Sequence, residues 1–259
     1  MINVRSQVLA WYFVGGGAFM RIESPMKHTF LLFLLTQIMC LAANAAAPLR
    51  IIALGDSITK GVRTGVTPAE IFSAQLEAAL RTRGTAAVVT SVGVGGERTD
   101  QALKRLQKAV IAQEPALVTV MYGTNDSYVD RDKSVSRITV DAYRNNLVQI
   151  LDQLRGAGIR VVLMTPPRWG RTARLNGVNE HPNLSLEKFV AACRTVAAEK
   201  KVPLVDHYRI WSEREAKGFD IGAWTTDQCH PNAQGHKQLA AAILPVVLSA
   251  LAKKTAIAQ

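Results

Sequence analysis

Leu49-Arg50-Ile51-Ile52-Ala53-Leu54-Gly55-Asp56-Ser57-Ile58-Thr59 reads as an apolar strand that runs straight into a serine. Leu49, Ile51, Ile52, Ala53 and Leu54 make the apolar run, and Gly55-Asp56-Ser57 stands where it stops. In open α/β sheets, ligands bind beyond the carboxyl ends of the strands, so Ser57 sits where a nucleophile belongs.

Working outward, short apolar runs alternate with stretches of helical period, the pattern of βαβ units around a parallel sheet. Strands are expected at residues 50–54, 87–92, 117–122, 160–164 and 203–205, and helices at 69–81, 99–112, 140–155, 186–200 and 233–251. Gly156-Ala157-Gly158 supplies the glycine that ends the third helix. No internal repeat or Pro-rich linker interrupts the series. The reading is a three-layer α/β/α sandwich, and right-handed crossovers make five parallel strands its simplest closure.

Three further blocks follow in order: Gly93 to Gly96, then Gly123-Thr124-Asn125-Asp126, then Asp227-Gln228-Cys229-His230. A serine hydroxyl is a weak nucleophile at neutral pH and needs a base within hydrogen-bond reach, itself oriented by a third group. His230 is the candidate base. Asp227, three residues earlier, can turn back to accept the Nδ1 proton and leave Nε2 facing Ser57. The chain lacks Gly-x-Ser-x-Gly, which disfavours the nucleophile-elbow hydrolases although the order Ser, Asp, His coincides.

Taken together the four blocks resemble the SGNH hydrolases, the GDSL esterase/lipase family, over the chain from about Arg50 to the helix after His230. The resemblance implies a flavodoxin-like strand order 2-1-3-4-5. It also implies an oxyanion hole built from the backbone N–H groups of Ser57 and Gly96 and the side chain of Asn125. Gly96 is expected to be glycine because its N–H must approach substrate closely. One departure stands out: Ser91-Val92-Gly93-Val94-Gly95-Gly96 replaces the family's Asn-x-Gly-x-x-Gly, so a hydrogen bond usually made by that Asn needs another source. Asp56 and Asp126 read as braces for nearby backbone amides, because another charged carboxylate beside an oxyanion would oppose catalysis.

The activity that follows is cofactor-independent hydrolysis of small acyl esters through an acyl-enzyme, with acetyl groups on carbohydrate as the preferred substrate. Arylesterase, lysophospholipase or thioesterase chemistry on the same fold is the alternative, as are acyl transfer and a carbohydrate-binding protein without catalysis. The long connection 166–184 reads as a binding loop. Trp169 and Trp224 are candidate flat faces for a sugar or aryl group, and Arg63 a candidate polar contact.

Residues 1–47 read as an upstream extension and an export signal, and 48–259 as the hydrolase domain. Met26-Lys27-His28 opens a basic region, residues 30–41 an apolar one, and the alanines near 43–47 a cleavage site, placing the signal at about 26–45. The apolar region is too short to span a bilayer, and no second stretch of span length is expected, so no stable membrane insertion follows cleavage. The protein is therefore expected to be periplasmic or secreted. The net charge of +11 is dispersed, without a block of five like charges or a nucleic-acid motif, and reads as a solvated surface. Cys40 leaves with the signal. Whether Cys193 and Cys229 pair stays open. His207 and His236 lack ligand spacing, so no metal is implied.

Overall fold

The computed structural model describes residues 47–252. The expected export signal at 26–45 and Cys40 lie outside the described residues.

Five parallel strands form one sheet: β1 (Leu49–Gly55), β2 (Ala87–Ser91), β3 (Leu117–Met121), β4 (Arg160–Thr165) and β5 (Leu204–Asp206). Their order across the sheet is β2-β1-β3-β4-β5. Register fixes which residues share a strand end, with Gly55 beside Met121 and Thr165 beside Asp206. Among the described residues seven α-helices accompany them: α1 (Ser57–Lys60), α2 (Phe72–Thr82), α3 (Thr99–Ala109), α4 (Val140–Gly156), α5 (Pro182–Glu199), α6 (His207–Ala216) and α7 (Ala233–Ala252).

The strands alternate their side chains between two apolar layers, as a pleat of period two requires. Ile52, Leu54, Val118, Val120, Val161 and Leu163 face Leu106, Leu147, Ile150, Leu154, Phe189 and Val196 of α3, α4 and α5. Ile51, Ala53, Leu117, Met121, Val162 and Met164 face Phe72, Leu76, Trp211, Leu239 and Ile243 of α2, α6 and α7. Burial on both faces explains why the strands read as near-continuous apolar runs.

The expected sheet and five helices are present, with ends shifted by a few residues. Two were not anticipated: the four-residue α1, and α6 after β5. The core anchor of α6 is Trp211, fully buried, while Arg209 and Glu213 pair on its outer side. The expectation that no further apolar stretch of span length exists is corrected. Helix α7 is 20 residues long and holds an 18-residue stretch of mean hydropathy 1.3, enough by length and composition to cross a membrane. Its stripe of Leu239, Ile243, Val247 and Ala250 nevertheless belongs to the core layer shared with α2.

Candidate active site

The turn that carries Ser57 is built from glycine and a carboxylate. A Cβ on Gly55 would lie 2.1 Å from Thr59 Oγ1 and 2.6 Å from the Met121 carbonyl, so β1 can enter the turn only with glycine there. Asp56 caps α1, its Oδ1 accepting from the Ile58 N–H at 2.9 Å. Ser57 is the next residue, half-buried, with Oγ 2.9 Å from His230 Nε2.

The segment carrying His230 is closed by an antiparallel bridge between Thr225 and Pro231 and by Thr226 N–H donating to the His230 carbonyl at 2.8 Å. Inside it, Asp227 Oδ1 accepts from the N–H groups of Cys229 at 3.2 Å and His230 at 2.8 Å. Asp227 Oδ2 lies 2.8 Å from His230 Nδ1. An ionised carboxylate only accepts, so Nδ1 carries the imidazole proton and Nε2 is free to accept from Ser57. Partial burial works against the Asp227 charge, but the backbone and ring N–H of His230 outweigh it and hold the carboxyl below its ordinary range.

Gln228, between Asp227 and His230, takes φ +70°. Its carbonyl accepts from Gly170 N–H at 2.7 Å. Its side chain fills the space beside two glycines, since a Cβ on Gly170 would lie 2.2 Å, and one on Gly222 2.8 Å, from Gln228 Oε1. The His230 segment and the 166–184 connection are thus packed directly on each other.

Asn125 follows β3. Its Nδ2 donates to Asp56 Oδ2 at 3.3 Å, and its Oδ1 accepts from Arg137 Nη1 at 3.0 Å. Asp126 turns inward, accepting at Oδ1 from the Thr99 N–H at 2.8 Å and hydroxyl at 2.7 Å. Both aspartates therefore brace backbone amides. Burial raises Asp56 to about 7 and Asp126 to about 6, because each sits where a charge is poorly solvated.

The segment with Gly96 continues the pairing of β2, Val92 N–H donating to the Ala53 carbonyl at 2.9 Å and Val94 N–H to Gly55 at 3.0 Å. Ser91 stands where the family motif has Asn, and its hydroxyl donates to the Thr59 carbonyl at 2.8 Å, tying β2 to the end of α1. Glu97, buried, receives Arg105 through Nε at 2.6 Å and the Tyr122 hydroxyl at 2.6 Å. That cluster joins the residue after Gly96 to α3 and to the end of β3. Gly96 takes φ +76°, which favours glycine, and a Cβ there would meet no protein atom within 4 Å. Close approach occurs instead at Gly93, where a Cβ would lie 2.1 Å from Lys60 N and 2.7 Å from the Asp56 carbonyl oxygen.

The structure brings Ser57, His230 and Asp227 into one hydrogen-bonded chain and sets Asn125 beside Asp56. Arg63 lies at the site. Its Nη2 donates to Asp227 Oδ2 at 2.8 Å, the oxygen that also receives His230. Trp224 is 6% exposed and packs edge-on against Trp211 with ring centres 5.3 Å apart, beneath the base segment, where it offers no face to substrate. Trp169 is half-buried and stacks on Tyr128 at 5.8 Å. His181 caps α5 and its Nε2 lies 3.1 Å from the Gly170 carbonyl. Cys193 and Cys229 are both free and buried. Among the described residues no three His, Cys, Asp or Glu side chains are grouped to hold a metal ion. Sequence reasoning missed Glu97, Arg105 and Arg137, which carry no periodic or motif signal.

A family model described as the GDSL-like lipase/acylhydrolase family matches residues 53–238. An uncharacterized lipoprotein of Bacillus subtilis is 26% identical over 211 residues, which cover 73% of this chain and 83% of that protein. An acetylxylan esterase of Geobacillus stearothermophilus is 25% identical over 160 residues, 60% of this chain and 70% of the enzyme. Among solved structures, a lipase/acylhydrolase from Enterococcus faecalis superposes with a TM-score of 0.64 at 26% identity, covering 78% of this chain and 96% of that one.

Proposed function

Since the chain belongs to the GDSL-like lipase/acylhydrolase (SGNH) family and is a carboxylic ester hydrolase, we propose that Ser57, His230 and Asp227 are its catalytic triad. The observation that carries the reading is the chain of contacts from Ser57 Oγ to His230 Nε2 at 2.9 Å and from His230 Nδ1 to Asp227 Oδ2 at 2.8 Å. Ser57 Oγ attacks the acyl carbon while its proton passes to His230 Nε2. Negative charge gathers on the former carbonyl oxygen, and the Ser57 N–H, the Gly96 N–H and Asn125 Nδ2 receive it. Each such donor contributes roughly 3–4 kcal/mol to the transition state. His230 then protonates the leaving alcohol, takes a proton from water, and the acyl-enzyme is hydrolysed.

The proposed substrate is a small acyl ester, acetyl on carbohydrate, and the protein works outside the cytoplasm after cleavage near residue 45. Similarity to an acetylxylan esterase supports the substrate, and similarity to a protein named a lipoprotein supports export. The test is a fluorophosphonate probe followed by peptide mapping, together with a substrate series of acetylated xylan, 4-nitrophenyl esters of rising chain length and acyl thioesters. Labelling at Ser57 with highest kcat/KM on acetylated glycan is expected. Absence of labelling would point to a binding protein, and preference for aryl, long-chain or thioester substrates would replace the proposed substrate while leaving the triad.

A further inference from the structure

The oxyanion reading needs Asn125 to present its NH2 end to substrate, and nothing in an amide's shape enforces that choice. The two ends of an Asn side chain are nearly the same size, and only their hydrogen-bond partners distinguish them. Asp56 touches the NH2 end at 3.3 Å. A carboxyl raised to about 7 by burial exists in both forms at neutral pH, and its protonated form could donate to a flipped Asn125 oxygen as readily. Asp56 alone therefore leaves the orientation undecided.

The other end of the amide meets a group that has no acceptor form. Arg137 Nη1 donates to Asn125 Oδ1 at 3.0 Å, and a flip would set an NH2 against a guanidinium. Arg137 is itself immobilised. Its Nε and Nη2 fork onto Asp130 at 2.9 and 2.7 Å, its plane lies over the Tyr128 ring at 5.2 Å, and its backbone N–H donates to the Tyr128 carbonyl at 3.0 Å. Tyr128 stacks in turn on Trp169. With Oδ1 held on Arg137 and one Nδ2 hydrogen on Asp56, the second Nδ2 hydrogen remains for a ligand oxygen.

We propose that Arg137 is a positioning residue for the oxyanion hole, holding the Asn125 amide in its donating orientation through the Asp130–Arg137–Asn125 chain. Its guanidinium does not touch substrate. Because Asp130 balances its charge, its contribution is orientation. This inference rests on the assignment of Asn125 as an oxyanion donor.

The test is a double-mutant cycle of Arg137→Ala and Asn125→Ala in the full chain, read as kcat and KM on 4-nitrophenyl acetate, with unfolding curves for every variant. Arg137→Ala should lower kcat about tenfold, part of the 10²- to 10³-fold attached to a lost donor, and leave KM near its original value. In the Asn125→Ala background the same change should cost less than about twofold, because there is no amide left to orient. Asp130→Ala, which frees Arg137 to swing away, should show a smaller kcat loss that also vanishes without Asn125, and it serves where Arg137→Ala folds poorly. Equal losses in both backgrounds would mean Arg137 acts through the fold in general, and the proposal fails. Full activity in a folded Arg137→Ala, with Asn125→Ala impaired, refutes the positioning role alone. An Asn125→Ala enzyme with unchanged kcat would remove the oxyanion assignment and this inference together.

Discussion

Three neighbouring glycines, 93, 95 and 96, should respond to alanine in three different ways. At Gly93 the new Cβ would lie 2.1 Å from Lys60 N, 2.7 Å from the Asp56 carbonyl oxygen and 2.7 Å from the Thr59 carbonyl carbon. The first contact falls about 1.4 Å short of an ordinary separation of about 3.5 Å. All three atoms are backbone, so no rotamer change relieves the clash. The 91–98 segment must lift off α1, straining the Val94 N–H to Gly55 bond at 3.0 Å and the Ser91 hydroxyl bond to Thr59 at 2.8 Å. Overpacking of about 1–3 kcal/mol together with two weakened hydrogen bonds at about 1 kcal/mol each gives a loss of about 3–5 kcal/mol. Because α1 begins with Ser57, ester hydrolysis should fall with it. At Gly96 the added Cβ has free space but φ is +76°, so the cost is conformational, about 1–2 kcal/mol. Gly95 has neither a positive φ nor a neighbour within 4 Å of its Cβ, and Gly95→Ala should be neutral or stabilising by up to about 1 kcal/mol. Urea unfolding followed by tryptophan fluorescence, with 4-nitrophenyl acetate turnover on the same samples, measures all three. A Gly93→Ala protein within 1 kcal/mol of the parent, or a Gly95→Ala protein as damaged as Gly93→Ala, would refute the steric reasoning.

Ser57→Ala and His230→Ala should each nearly abolish turnover, and the double variant should be little worse than either, since nucleophile and base act in one step; losses that add would separate them. Arg63→Ala removes one of the two groups on Asp227 Oδ2. It should slow turnover about threefold to tenfold, part of one charge-assisted hydrogen bond. Stability should change by less than about 1 kcal/mol, because the pair is 32% and 40% exposed; parallel kinetics and unfolding check both halves. His207 is fully buried with no partner on either ring nitrogen, and burial depresses it to about 3. The unfolded chain takes up that proton near 6.5 and the folded one does not. The stability tied to neutral His207 is therefore present above pH 6.5 and lost as pH falls toward 3. His207→Phe should lessen the stability lost between pH 7.5 and 4.5 by about 3 kcal/mol, measured by urea titration at both values, and an unchanged acid loss would contradict it.

The parts of this molecule legible in the sequence are those with a repeating or positional signal. Burial on both faces made β1, β3 and β4 into apolar runs, and their carboxyl ends located Ser57 and Asn125. The three-residue spacing of Asp227 and His230 sufficed to foresee their contact, since a turn of that length returns the carboxylate to the ring. Helix α6 was missed because it follows the three-residue β5 at once and presents Arg209, Glu213 and Arg214 among its apolar anchors. Arg137 and Glu97 were missed for a different reason. Each is a charged residue outside the regular elements whose partners include one on another segment, Asn125 for the first and Arg105 for the second, and only the folded backbone creates that proximity. Trp224 shows the converse hazard: an aromatic near a candidate base looks like a ligand platform until packing places it under the segment.

The fit of Gln228 between Gly170 and Gly222 bears on how this scaffold can be re-engineered. Grafting residues 166–184 from another esterase to change substrate range treats that connection as an interchangeable cassette, and here it is not one. A side chain at position 170 would meet the Gln228 amide oxygen at 2.2 Å and the Gly222 Cα at 3.1 Å, so the Gln228 side chain would have to swing out of the gap it fills. Recombination libraries would have to carry positions 170, 222 and 228 as one inherited block, while the stretch from about 171 to 180 could vary more freely. Packing couples the 166–184 connection to the segment that carries His230, so a change selected in one would act on the other.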